Sequence, residues 1–88
     1  MSGDIFDERF PDNFYRGVII NLNRATLKGK VRSDSGREIP FQFPHVAVVG
    51  AAIGGLAPGM EMLRVGDHIG FDVGWSSKGL AVTKIKPL

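Results

Sequence analysis

The segment from Leu27 to Phe43 alternates cationic or polar residues with apolar ones on both sides of a turn sequence, and no other feature constrains the fold as strongly. Successive side chains of a strand point to opposite faces, so alternate residues share a face. Three cations follow this spacing, whereas a helix would spread them around its circumference. The first half of the segment therefore predicts a strand whose outer face carries Lys28, Lys30 and Arg32.

The second half of the segment predicts a partner strand, and so a hairpin. Residues 33–36 (SDSG) are types that favour tight turns. After this turn, Ile39, Phe41 and Phe43 alternate with polar residues or proline, which is typical of a half-buried strand. The predicted hairpin has an apolar inner face that the rest of the chain must cover.

Three further segments have the composition of short strands. They are Tyr15 to Leu22, Leu63 to Val73 and Leu80 to Lys86. A turn at Gly66-Asp67 leads into the second of them, and a turn at residues 75–79 precedes the last. Five short strands without a convincing helix predict an all-β fold, a five-stranded antiparallel barrel, because a small open sheet would leave both edges bare. The side chains predicted to fill its core are Ile19, Val31, Ile39, Phe41, Ile69, Phe71 and Ile85.

An extended loop between the third and fourth predicted strands interrupts this pattern. No residue from Phe41 to Met60 carries a formal charge, but the prolines and glycines in this run argue against a membrane span. Val46 to Ile53 is predicted to form a short helix across the end of the barrel, ended by two glycines. Residues 46–56 form either a lid that completes the core or an exposed apolar patch that binds a protein partner or a second copy of the chain.

Charge is distributed unevenly along the 88 residues, a length that suits one domain. Residues 1–13 hold four acids and one base, and we interpret them as a flexible acidic tail preceding a folded domain at 14–88. The alternative is that this tail folds back on the basic hairpin and competes with its ligand. Residues 14–37 hold six bases and one acid, which favours a polyanionic ligand, although a solvated charged surface is the commoner explanation.

Several chemistries have little support in the sequence. The chain has no cysteine, which excludes disulfides and thiolate metal sites and suits a reducing, cytoplasmic compartment. The N-terminal residues lack the basic and apolar regions of a signal peptide. His45 and His68 have no carboxylate at a metal-binding spacing beyond Asp67, and no serine lies in a nucleophile elbow. We therefore predict no metal, no cofactor and no enzymatic activity.

Several core residues of the five predicted strands follow a distinctive spacing. Leu63, Gly66, Ile69 and Phe71 fit the pattern Leu-x-x-Gly-x-x-Val-x-Phe, and Lys78-Gly79 followed by Ala81 is similar to Lys-Gly-Pro-x-Ala. In these motifs and in its strand pattern the chain resembles the cold-shock domain family, whose members are OB-type barrels that bind single-stranded RNA and DNA. The resemblance covers residues 16–86 apart from the loop at 44–62. It implies a five-stranded antiparallel OB-type barrel with an extended loop between strands 3 and 4.

The family motifs that contain the stacking aromatic residues are matched in position but not in residue type. Asn21 stands where the family has a stacking tryptophan. Lys28 and Lys30 stand where it has two phenylalanines, and Pro40 and Gln42 where it has Phe and His. Charge attraction along a backbone then replaces much of the stacking, which predicts binding of single strands with little regard to sequence.

Trp75 lies in a predicted turn close to Lys78, where an exposed indole would stack on a base, although a partly buried, structural tryptophan is the commoner case. The resemblance and the cations together predict a module that binds single-stranded RNA or DNA as a chaperone or regulator. The alternative is a protein–protein interaction module that uses the apolar loop at 46–56. The predicted nucleic-acid-binding residues are Arg16, Asn21, Lys28, Lys30, Arg32, Gln42, Phe43, Trp75 and Lys78.

Overall fold

The computed structural model describes residues 13–88, so most of the predicted acidic tail lies outside the described residues. Its secondary structure is all-β, as predicted, apart from one 3-10 turn at Met60–Met62. The strands are β1 (Tyr15–Asn23), β2 (Lys28–Ser33), β3 (Glu38–Gln42), β4 (Ala47–Val48), β5 (His68–Ser76) and β6 (Gly79–Pro87).

The six strands form one sheet in the order β3-β2-β1-β5-β6-β4. The five long strands pair antiparallel, and the short β4 pairs parallel with β6, so the sheet is mixed. The predicted closed barrel is not formed by the described strands. Among them, β3 and β4 are the two edges of the sheet, and no hydrogen-bonded ladder joins them. β3 nevertheless lies alongside β6. Because β4 pairs with part of the free edge of β6, that part cannot pair with β3.

The sheet curls around a core that contains all seven of the side chains predicted to fill it. None of the seven is more than 2% exposed. Six further apolar side chains complete the core, and they come mainly from the long loop and the ends of strands. They are Phe43, Val46, Val48, Met60, Leu63 and Val82.

The predicted hairpin is confirmed as β2 and β3, with Val31 opposite Ile39 in the antiparallel register. The β2 cations are exposed, whereas Gly29 and Val31 between them are buried. A Cβ atom at Gly29 would clash with the Cζ atom of Phe41. The hairpin therefore needs a glycine at this position, since the Phe41 ring fills the space that a side chain would occupy.

The predicted helix at 46–53 is absent, and the two-residue strand β4 lies there instead. Gly50, within the predicted helix, has a φ of 88°, a backbone conformation that interrupts a right-handed helix. The Arg24 guanidinium holds the end of the loop by donating hydrogen bonds to the backbone oxygens of Met60 (3.2 Å) and Leu63 (3.0 Å).

The loop combines the two alternatives that the sequence left open for it. Val46 and Val48 are buried and complete the core, as a lid would. Val49, Ile53 and Leu56 are exposed to solvent, as the alternative of an apolar surface requires. Over residues 13–88, no helix has the length and apolar character needed to cross a membrane.

Both ends of the fourth long strand differ from the predicted bounds. A turn leads into it, as predicted: the Arg64 N–H donates to Asp67 Oδ2 at 3.0 Å within residues 64–67, so the strand begins at His68 rather than at Leu63. Trp75 and Ser76 belong to β5 rather than to a turn, with Trp75 opposite Leu80. The turn itself consists of Ser77 and Lys78.

Candidate functional site

A groove of about 790 Å³ separates the β2–β3 hairpin from the β5–β6 hairpin. It is open to solvent and reaches down to the buried side chains of Phe41 and Val82. Six of the nine residues predicted to bind nucleic acid line this groove, although they come from four strands and a turn. They are Asn21, Lys28, Lys30, Gln42, Trp75 and Lys78.

Register explains how β2 and β3 contribute to the groove. Lys28 lies opposite Gln42, and Lys30 lies opposite Pro40. Residues directly opposite each other in an antiparallel pair project from the same face. All four side chains are exposed, so they form two rows on the outer face of the hairpin.

A β-bulge in β1 adds Asn21 to the same face. Ile19 pairs with Val31, but Asn21 pairs with Lys30, so two steps along β1 match one step along β2. The additional residue, Ile20, reverses the alternation of the strand beyond it. Ile19 is therefore buried while Asn21 is exposed beside Lys30.

Trp75 reaches the groove because the β5–β6 hairpin projects beyond the rest of the sheet. β1 pairs with β5 only from His68 to Phe71, so the residues after Phe71 are bonded to β6 alone. Trp75 is on the same face of β5 as Phe71 and Val73, since the three are alternate residues, but it lies past the end of the core. Its side chain is 78% exposed, which leaves the indole available to a ligand.

Hydrogen bonds within the tip of this hairpin stabilise the position of Lys78. The Ser76 hydroxyl donates to the Gly79 backbone oxygen at 2.8 Å and accepts from the Lys78 N–H at 3.2 Å. Gly79 has a φ of 112°, which an L side chain rarely adopts, so the glycine permits the tight return of the chain. The turn therefore carries Lys78 at the open end of the groove.

The groove is electropositive. Its lining contains three lysines, Lys28, Lys30 and Lys78, and no carboxylate. Glu38 lies outside it and contacts Lys30 Nζ at 3.8 Å and an Arg32 nitrogen at 3.5 Å. These side chains are about half exposed, so both ion pairs are weak. Within residues 13–88, no carboxylate lies within ion-pair distance of Lys28 or Lys78.

Three predicted residues do not line the groove. Arg16 is half-buried in β1 opposite Gly70 of β5, and Arg32 lies on β2 in contact with Glu38. Phe43 is only 3% exposed, and its ring packs edge-on against that of Phe41 with centroids 6.2 Å apart. Phe43 is among the predicted binding residues, although its alternation with Ile39 and Phe41 also fits the apolar inner face. Its burial argues against contact with a ligand, because it continues that face and its ring belongs to the core.

Several residues that line the groove are not among those predicted from the sequence, and His45 and Leu80 are two examples. His45 follows β3 in a turn and is exposed in the groove, and its backbone N–H donates to the backbone oxygen of Gln42 at 2.9 Å. Leu80 lines the groove from β6, opposite Trp75. Neither position has a local signal, because the approach of β6 to β3 depends on the curl of the whole sheet.

The chemistry available in the groove is that of ammonium groups, amides and one indole. No cluster of three potential metal ligands occurs in the part of the chain that the structure describes. Comparison with protein-family models found no match, and comparison with curated proteins found none either. The interpretation of the groove therefore depends on its own residues.

Proposed function

We propose that this chain is a module that binds single-stranded RNA or DNA in the groove between its two hairpins. The observation that carries the proposal is the position of Trp75, an exposed indole, in a groove that also holds three lysines and no carboxylate. Lysines attract the phosphate backbone, and an exposed aromatic ring stacks on a base. Proteins that bind single strands combine these two contacts.

The proposed ligand is a single strand because of what Trp75 requires. An indole can stack only on a base whose face is available, and the bases of a duplex are already stacked on one another. The three lysines come from both sides of the groove, Lys28 and Lys30 from β2 and Lys78 from the opposite hairpin. A backbone that follows the groove would be close to both sides.

We further propose that the fold is a divergent cold-shock-like OB barrel. The order of the five long strands supports this proposal, together with the position of β3 alongside β6. Binding would then use a changed set of contacts. Cations on β2 replace aromatic residues, and one tryptophan from the β5–β6 hairpin supplies stacking.

The test is a fluorescence titration of the full chain with random single-stranded RNA and DNA oligonucleotides. Trp75 is the one tryptophan of the chain, so its emission reports directly on the groove. We expect quenching on binding and an affinity that falls about 20-fold between about 50 and 200 mM salt, if three lysines each meet a phosphate. A duplex of the same sequence is the control and should bind more weakly.

Absence of binding at low salt would contradict the proposal, because charge attraction is strongest there. Binding without any change in Trp75 emission would place the ligand elsewhere on the protein. Equal affinity for single strands and the duplex would indicate a phosphate-binding surface without base stacking.

A second candidate function, binding of a protein or of a second copy of the chain, is favoured by the loop at 46–56. Ile53 is fully exposed and Leu56 is 79% exposed, which is unusual for large apolar side chains. Because this patch and the groove share no lining residue, the two functions can be tested separately.

A further inference from the structure

We infer that the groove reads the edges of bases at two positions of a bound single strand, through the side-chain amides of Asn21 and Gln42. This inference rests on the proposed function and goes beyond it. The cationic face by itself predicts binding with little regard to sequence, whereas two amides in the same groove predict a dependence on base identity.

The first observation is that both amides have no hydrogen-bond partner within residues 13–88. Both side chains are exposed and line the groove, and neither makes a side-chain hydrogen bond to the described residues. Asn23, two residues further along β1, shows the contrast. Its Oδ1 accepts from the N–H groups of Ala25 (2.9 Å) and Thr26 (3.0 Å), so it stabilises the turn.

The second observation is chemical. An amide side chain carries a donor and an acceptor next to each other, whereas a lysine only donates. Base edges present donors and acceptors in the same adjacent arrangement, and Asn and Gln contact them with two hydrogen bonds. Phosphate oxygens only accept hydrogen bonds, and the ammonium groups of the neighbouring lysines can donate to them. The amides therefore match base edges better than they match the backbone.

The third observation is spatial. Asn21 lies on β1 and Gln42 on β3, with β2 between them. Neighbouring strands are about 4.8 Å apart, so the two backbones are separated by about 10 Å. Successive nucleotides of one strand are about 3.4 Å apart when stacked. The two amides therefore contact different bases, with Lys28 and Lys30 on the strand between them.

The experiment measures the affinity of the full chain for single-stranded decamers of A, C and U at one low salt concentration. It compares the parent with Gln42→Met, which keeps the length of the side chain and removes its donor and acceptor, and with Asn21→Ala. Lys28→Ala is the control, because it removes a phosphate contact. Melting curves check that each variant is folded. We expect unchanged melting temperatures, because all three replaced side chains are exposed.

We expect the parent to distinguish the best from the worst decamer by about tenfold or more, and each amide variant to reduce this ratio by about fivefold. Lys28→Ala should weaken all three decamers equally and preserve the ratio. A parent that binds all three with equal affinity would overturn the inference and leave the proposed function standing. A ratio that persists in both amide variants would also overturn it, since the preference would then come from stacking on Trp75. No binding of any decamer would overturn the proposed function itself.

Discussion

Asn21 of β1 lies directly opposite Lys30 of β2, on the outer face of the sheet. In a regular strand it would share a face with the buried Ile19, two residues earlier. The bulge at Ile20 produces this relationship by inserting one additional residue into β1. Strict alternation would have turned the Asn21 amide into the core, where it would need buried hydrogen-bond partners. The bulge instead adds a polar group to the groove and leaves the core apolar.

Trp75→Ala should weaken binding of single strands by about 1–3 kcal/mol for each base that stacks on the indole. The side chain is 78% exposed, so the free energy of unfolding should change by no more than about 0.5 kcal/mol. Trp75→Phe is the control, because it keeps an aromatic ring. Affinities measured by fluorescence anisotropy of a labelled oligonucleotide would show the loss. A Trp75→Ala variant with the affinity of the parent would contradict a stacking role.

The salt dependence of binding should distinguish cations inside the groove from cations outside it. With three lysines in the groove, log K should fall against log salt with a slope of about −2, or about −0.7 for each lysine that meets a phosphate. Lys28→Ala and Lys78→Ala should each reduce the steepness by about 0.7. Arg32→Ala is the matched control, because Arg32 has the same charge and lies on β2 but does not line the groove.

If Arg32→Ala reduced the slope as much as Lys78→Ala, the bound strand would follow the face of β2 rather than the groove. The same titrations would then support the position that the sequence alone predicted for the ligand.

Glu38→Gln should strengthen nucleic-acid binding. Glu38 contacts Lys30 at 3.8 Å and Arg32 at 3.5 Å, so its carboxylate competes with a phosphate for Lys30. Since the ion pairs are about half exposed, the gain should be modest, about two- to fivefold at low salt, and should disappear at high salt. Glu61→Gln is the control, because this exposed acid lies in the 3-10 turn outside the groove. An equal gain in both variants would show only a general effect of net charge.

Val48→Asp should destabilise the fold and Ile53→Asp should not, although both replace an apolar side chain of the loop. Val48 is 7% exposed, so burying a carboxylate there should cost several kcal/mol, comparable to the whole stability of a small domain of about 5 kcal/mol. Ile53 is fully exposed, and its replacement should leave the melting temperature unchanged. Thermal unfolding followed by circular dichroism checks both.

Size-exclusion chromatography of Ile53→Asp then tests the loop as an interface. If Ile53→Asp elutes later than the parent, as a smaller particle does, the parent self-associates through residues 46–56. An unchanged volume, together with unchanged binding of single strands, would limit the role of the loop to its buried half.

The hairpin and the core could be predicted from the sequence because both depend on local alternation. Lys28 and Lys30 are two residues apart on one strand, so they share a face in any register, and Phe71 shares a face with Ile69 for the same reason. Alternation also placed Phe43 with Phe41 on the apolar face, and its ring is buried there. Its inclusion among the binding residues followed the resemblance to the family motifs instead, and the structure does not support it.

The loop at 46–56 shows a different reason for failure. Its apolar residues and small side chains are compatible with a helix, a lid or an exposed patch, and the outcome depends on the positive φ angle at Gly50 and on the pairing of β4 with β6. The pairing is a nonlocal preference, because β4 can pair only after β6 is in place.

The sequence by itself determined the strands, the apolar face that they bury and the cationic face of β2, because side-chain alternation follows from the geometry of an extended chain. Only the tertiary structure decided which residues share the groove. The bulge at Ile20 turned Asn21 outward, the projecting hairpin exposed Trp75, and the curl of the sheet brought Lys78 into the groove that Lys28 lines. Each of these depends on register and strand order between residues distant in the chain, and local alternation carries no information about either.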